Sequence, residues 1–247
     1  MQQCGSVEVR TKVATLEKKF DEQFLCLLEQ LRNRSIDCET FQSQMRDACS
    51  QPDLLKSLQP ALERLDQSNT AEWLVRRHVG NCRYTVQVYI LQPSTSQAPH
   101  QHHNLISTHV VLKGQVHLRE YERVEKDAED ILLLQPVRDE ILEAGDMFQA
   151  SEWARNVHWF GAVGAPALMF SVDARGYEQT TFHSDNDDQS SFGRLYVDPT
   201  VVDNSGHTLG VCLAETVAKS RFGNRPLSDF PSPDVGSNDT TTHRRSA

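Results

Sequence analysis

The sequence predicts a mainly β protein, a small barrel preceded by a helical extension, and three observations predict it. Short runs rich in β-branched and aromatic residues, separated by Gly, Pro and Asp turns, recur between residues 83 and 173. Ahead of them, apolar residues step by three and four, the spacing of one helix face. Inside the β-rich region, Pro99-His-Gln-His-His-Asn runs toward a turn glycine at Gly114, and a second stretch leads from Gly145-Asp146 to His158. Histidines two apart on a strand point to one side of it.

Residues 9–32 carry Val13, Leu16, Phe20, Phe24, Leu27, Leu28 and Leu31 on one face and are expected to be helical. A second helix is expected from Cys38 to Cys49, with Phe41 and Met45 inward, and a third after Pro52. Leu54, Leu55, Leu58, Leu62 and Leu65 carry the third, Asp53 is its candidate N-cap, and Pro60 kinks or splits it. Strands are expected at 83–92, 107–112, 115–123, 131–135, 140–142, 146–149, 156–160 and 167–173, with 121–130 a solvated hairpin connection. Beyond residue 174, 183–188 reads as a polar loop, 192–197 as a strand and 208–219 as a short helix. The last stretch is rich in Pro, Ser, Asp and Thr with few apolar residues. The expected organisation is a helical extension over 1–70, a barrel over 71–200, a C-terminal extension over 201–224 and a disordered tail over 225–247.

At 247 residues, 38% of them hydrophobic, the chain suits one core domain with an extension. A net charge of -9 and a pI near 5.5 exclude a general nucleic-acid or acidic-membrane binder. No apolar run has the length of a membrane span, and the first ten residues lack the apolar region of a signal peptide. The cysteines at 4, 26, 38, 49, 82 and 212 have no CxxC spacing and read as reduced thiols, so the expected location is cytoplasmic. The helical extension is expected to close one mouth of the barrel or to bury its apolar face against a sister subunit in a homodimer.

The functional reading starts from His100, His102 and His158. Three neutral imidazoles in one cavity give a mononuclear metal site with coordination positions left open for substrate and oxygen. His103 faces away from the pair, whereas His109 and Ser107 share the cavity side and are the candidate catalytic groups. Tyr84 and Tyr89 point to opposite faces of their strand, so one at most lines the pocket, and Tyr84 is the candidate for contact with substrate. His78, His117, His183, His207 and His243 read as packing or surface residues.

This pattern of His100-x-His102, Gly114, Gly145-Asp146 and His158 resembles the two motifs of the cupin superfamily over about residues 73–173. The resemblance implies a double-stranded β-helix, the jelly-roll barrel of that superfamily. Cupins usually carry a glutamate ligand seven residues before the first motif's glycine, and here that position is Ser107. Three histidines without the carboxylate resemble the cysteine dioxygenase-like branch, which binds ferrous iron in this way. The run Trp73-Leu-Val-Arg76-Arg77-His78, followed by a strand and then Pro99-His100, resembles that branch's approach to its histidine pair. The resemblance implies that Arg76 holds a substrate carboxylate, for which a guanidinium fork is suited. The branch's late Ser-x-His-x-Tyr series is represented only by its serine, Ser171, with Asp173 and Arg175 in the other places, and Ser107 excludes the branch's cysteine–tyrosine crosslink.

The expected activity is a non-haem Fe(II) dioxygenase acting with O2 on a small carboxylated thiol, to give a sulfinate, or on a related chelating anion. The alternatives are a Zn-, Ni- or Mn-dependent cupin lyase, isomerase or hydrolase, whose metal acts as a Lewis acid, and a cupin that binds a small ligand without turning it over.

Overall fold

A computed structural model describes residues 16–128, 131–152, 154–178 and 193–235. Three helices come first: α1 (Lys18–Arg32), α2 (Cys38–Cys49) and α3 (Pro52–Leu62). Asp37 caps α2 by accepting a hydrogen bond from the Thr40 amide at 2.8 Å. Asp53 does not cap α3: Gln51 occupies that place with Pro52 at the first turn, where a missing N–H is tolerated. Pro60 lies inside α3, which ends at Leu62, short of Leu65. The expected helical residues before 16 lie outside the described residues.

Eleven strands follow: β1 (Ala71–Val79), β2 (Cys82–Leu91), β3 (Ser96–His102), β4 (Leu105–Lys113), β5 (Val116–Ala128), β6 (Ile131–Leu142), β7 (Met147–Ala150), β8 (Val157–Ala162), β9 (Ala167–Arg175), β10 (Arg194–Val202) and β11 (Thr208–Leu213). They form an antiparallel sheet in the order β1-β2-β9-β4-β7 and a closed ring in the order β10-β11-β6-β5-β8-β3. The fold is therefore mainly β, with a closed barrel and N-terminal helices, as expected from the sequence. Gly114 turns β4 into β5 at φ +84, where a Cβ would stand 3.0 Å from the Ala167 backbone.

The two faces of the five-stranded sheet have different partners. Tyr84, Val86, Val88, Ile106, Val110, Phe170 and Val172 face outward and bury against Phe20, Phe24, Leu28, Met45 and Leu58 of the helices. The other face, with Tyr89, Val111, Phe148 and Met169, packs against Val116, Leu118, Leu142 and Phe160 of the ring. Between these opposed faces lies His158, against Phe148 of one and Phe160 of the other. A separate apolar cluster of Tyr121, Leu132, Leu134, Val157 and Val197 joins strands of the ring.

Several expectations are corrected. Residues 131–135 and 140–142 belong to one strand, β6, whose Pro136 pairs with Tyr121 beside a bulge, a place where a missing N–H is tolerated. Residues 208–213 are a strand rather than a helix, because β11 pairs with both β10 and β6 and closes the ring. The barrel thus extends to 213 instead of 200. Helix α4 (Glu215–Ala218) follows, continuing as a π-helical turn over Lys219–Gly223, with a 3₁₀ turn at Leu227–Asp229. Residues 225–235, expected to be disordered, pack on the ring: Leu227 is buried and the Phe230 ring centroid lies 4.6 Å from that of Trp159. Residues 236–247 lie outside the described residues, and no helix among the described residues is long and apolar enough to cross a membrane.

Candidate metal centre

Strand register assembles the site. His100 is the direct partner of His158 across β3 and β8, and His102, two residues on, points to the same side. Ligand nitrogens of the three all lie within 4.8 Å of one another, and all three residues are buried. The Nε2 atoms of His100 and His158 are 2.9 Å apart. His100 Nδ1 is 2.8 Å from the Ala98 carbonyl, to which it donates, leaving a lone pair on Nε2. Burial holds all three imidazoles well below their ordinary pKa. Next in size is the Arg194 charge for His100 and His102, and the His100 ring for His158. They are neutral at pH 7, the form that binds a metal.

The donor set fits a metal ion. His102 Nε2 is buried and has no hydrogen-bond partner, an arrangement that a metal bond would satisfy. For metal–nitrogen bonds of about 2.1 Å, donors meeting at a right angle stand about 3.0 Å apart, close to the 2.9 Å between His100 and His158. No Asp, Glu or Cys joins the group among the described residues.

Around this centre the opposed sheet is layered. Ser107 pairs with Asp173, which pairs with Thr85, and these three buried residues form the row one step toward the mouth from His109, Ser171 and Gln87. Ser107 Oγ has no hydrogen-bond partner, and Asp173 accepts from Ser171 Oγ at 3.2 Å through one oxygen while the other is buried without a partner. His109 stacks on Phe148, with centroids 4.7 Å apart, and its Nδ1 is 3.1 Å from the Tyr89 hydroxyl. Burial, against the opposing charge of Asp173, pushes His109 down to about 4. Its ring lies 5.9 Å from that of His158, so His109 flanks the three-histidine set.

Asn156 ties the set in place. Its backbone carbonyl accepts from the His102 amide at 3.1 Å, and its Nδ2 donates to the His102 carbonyl at 2.9 Å. His103 points elsewhere and pairs with Glu152.

Two expected substrate contacts are not at the cavity. Arg76 is exposed on the edge strand β1, its guanidinium 5.7 Å from the Trp73 ring centroid. Tyr84 lies on the outer face among the helices, because its even-numbered place on β2 belongs to the side buried by α1. Tyr89, on the opposite face, reaches His109, and Tyr196, the partner of His100 across β10 and β3, also stands at the site with its ring centroid 5.9 Å from that of His100. Arg194 was not foreseen: it opens β10 directly beside His102, and the pairing that puts it there joins strands far apart in the chain. Arg175, expected only as a departure from the family's series, closes the same end of β9.

No family model and no curated protein matches the chain. Among solved structures, the chain is similar to a Klebsiella pneumoniae protein with a double-stranded β-helix domain, at 20% identity over 46% of this chain and 78% of that one, TM-score 0.32. It is similar to a cupin-2 domain protein of Shewanella frigidimarina, at 10% identity over 47% of this chain and 89% of that one, TM-score 0.31. It is also similar to an oxalate oxidase, at 17% identity over 40% of this chain and 44% of that one, TM-score 0.29.

Proposed function

We propose that this chain is a metal-dependent cupin whose three histidines hold ferrous iron, and that it is a non-haem dioxygenase of a small carboxylated thiol or related chelating anion. The observation that carries the reading is the convergence of three buried, neutral imidazoles with no carboxylate among them. A divalent ion held there keeps its full double charge and favours an anionic, chelating substrate. When bound, the iron supplies a redox-active centre at which a coordinated thiolate meets dioxygen.

The chain's own residues do the remaining work. Phe148 and Phe160 wall the histidines with apolar surface and limit water. Ser107 Oγ, without a protein partner, is available to a polar group of the substrate. The Tyr89 hydroxyl fixes the ring of His109, whose buried, neutral imidazole offers a hydrogen-bonding group beside the three histidines. Free thiols at Cys26, Cys38, Cys49 and Cys82 support a reducing compartment such as the cytoplasm.

The deciding experiment is metal analysis of anaerobically purified protein, with oxygen uptake recorded against small thiols and diketones. Near-stoichiometric iron with uptake that depends on one of them supports the reading. Zinc, nickel or manganese without uptake points to the second reading, a Lewis-acid lyase, isomerase or hydrolase. The Tyr89–His109 pair favours that alternative, since it offers an acid–base group beside the metal. Protein that binds no metal removes both.

A further inference from the structure

Beside the histidines stands a cation that no carboxylate among the described residues pairs with. Arg194 is the direct partner of His102, so its side chain leaves β10 on the side of the metal ligands. Its Nε is buried with no hydrogen-bond partner, and among the described residues the guanidinium has no ion pair. Partly buried Arg64 and Arg138 do have one, on Glu72 and Glu120, as do exposed Arg77 and Arg221, on Asp21 and Asp198. The register beside His102 sets this charge next to the metal ligands, where it helps to hold the His100 and His102 imidazoles neutral. Arg175 stands in the row Arg83–Arg175–Leu105 that ends the opposed sheet at the same mouth. Asp173, one row deeper on β9, is a carboxylate facing these groups. A half-buried guanidinium left unpaired is unfavourable unless a ligand completes it.

We propose that Arg194, with Arg175 nearby on β9, is the subsite for the carboxylate end of the substrate, the role that the resemblance implies for Arg76. The proposal rests on the reading of the histidine cavity as the reaction site. Arg194 contributes its fork of N–H donors to a planar carboxylate, which fixes the substrate's other end toward the histidines. The anchor lies on β10, a strand paired to the metal-bearing β3, so anchor and ligands move as one unit.

The test reads binding rather than turnover. Succinate and its neutral analogue succinamide are titrated into metal-loaded full-length protein by calorimetry, for wild type, Arg194→Gln, Arg194→Lys and Arg76→Gln. Arg194→Gln should weaken succinate about ten-fold or more, leave the weak succinamide affinity and the metal content unchanged, and be partly rescued by Arg194→Lys. Arg76→Gln should match wild type. If Arg194→Gln does not fold, phenylglyoxal modification of wild type replaces it, and succinate should slow labelling of Arg194 as mapped by peptide mass. Succinate affinity unchanged in Arg194→Gln, wild type that prefers neither ligand, or unprotected Arg194 overturns the proposal. Loss of succinate binding in Arg194→Gln without any oxygen uptake by wild type would leave the anchor standing and remove the dioxygenase.

Discussion

His100 and His158 are direct partners across β3 and β8, and their Nε2 atoms stand 2.9 Å apart. Two lone pairs at that distance repel, and His100 already spends its proton on the Ala98 carbonyl. In metal-free protein the proton between them therefore sits on His158 Nε2, and metal binding must displace it. Nitrogen-15 spectra of the metal-free protein should show His158 protonated at Nε2 and, once metal is added, at Nδ1. An Nδ1 proton on His158 in both states would contradict this. His100→Ala or His158→Ala should lower metal affinity by at least the ~10–100-fold typical of lost outer partners, read by chelator competition.

Acid should destabilise the metal-free protein. His100, His102, His109 and His158 have folded pKa values depressed by burial, so they stay neutral where the unfolded chain takes up protons. The stability they leave intact above about pH 6.5 is lost as pH falls below the unfolded value, by up to ~1.4 kcal/mol per pH unit for each. His103 has the opposite sign. Its hydrogen bond with Glu152 raises its pKa, giving stability below the unfolded value that fades as pH rises through the folded one. Thermal melts between pH 5 and 7.5 should fall toward acid in metal-free protein. A flat profile there would contradict four buried neutral imidazoles.

Tyr89→Phe removes the hydroxyl that partners His109 Nδ1, 3.1 Å away in a buried site. Leaving that nitrogen unsatisfied costs about 1–3 kcal/mol. Turnover should fall with little change in metal content. Unaltered kcat with a lowered melting temperature would make the pair structural only.

Arg119 is buried and donates to the carbonyls of Phe230 at 3.1 Å and Pro231 at 3.0 Å, holding the C-terminal segment over Trp159. Arg119→Ala also leaves Asp139 without that guanidinium, and loss of a buried charged partner costs about 3–5 kcal/mol. Limited proteolysis should then cut within 214–235, which resists cleavage in wild type. Equal resistance in both would show that Phe222 and Phe230 hold the segment unaided.

The barrel and its histidines were legible in the sequence because their signals are local. His100 and His102 fall on one face by strand parity alone, and the Phe20–Leu31 stripe reads as a helix without any tertiary knowledge. What was not legible depends on pairings between distant strands. Arg76 lies near the family's arginine position, but β1 is an edge strand that leaves it exposed on Trp73. Tyr84 and Tyr89 were known to oppose each other, and only the helices packed on one face decide which enters the cavity. Thr208 to Leu213 could pass for a helix start until pairing with Leu132 and Leu134 makes it a strand. Phe230 gave no periodic signal, because its segment is held by one aromatic ring packed on Trp159 and by hydrogen bonds from Arg119 rather than by a repeated apolar face.

The pairing of β10 with β3 also divides the labour along the chain. Every imidazole of the centre has been made by the time β8 is complete, whereas Arg194 arrives only afterwards. Before β10 docks, β3 is an unpaired edge carrying the histidine pair, open to stray association with another chain. Affinity for the ion and choice of substrate are separable, and a shuffled or altered C-terminal hairpin could redirect the second without rebuilding the first.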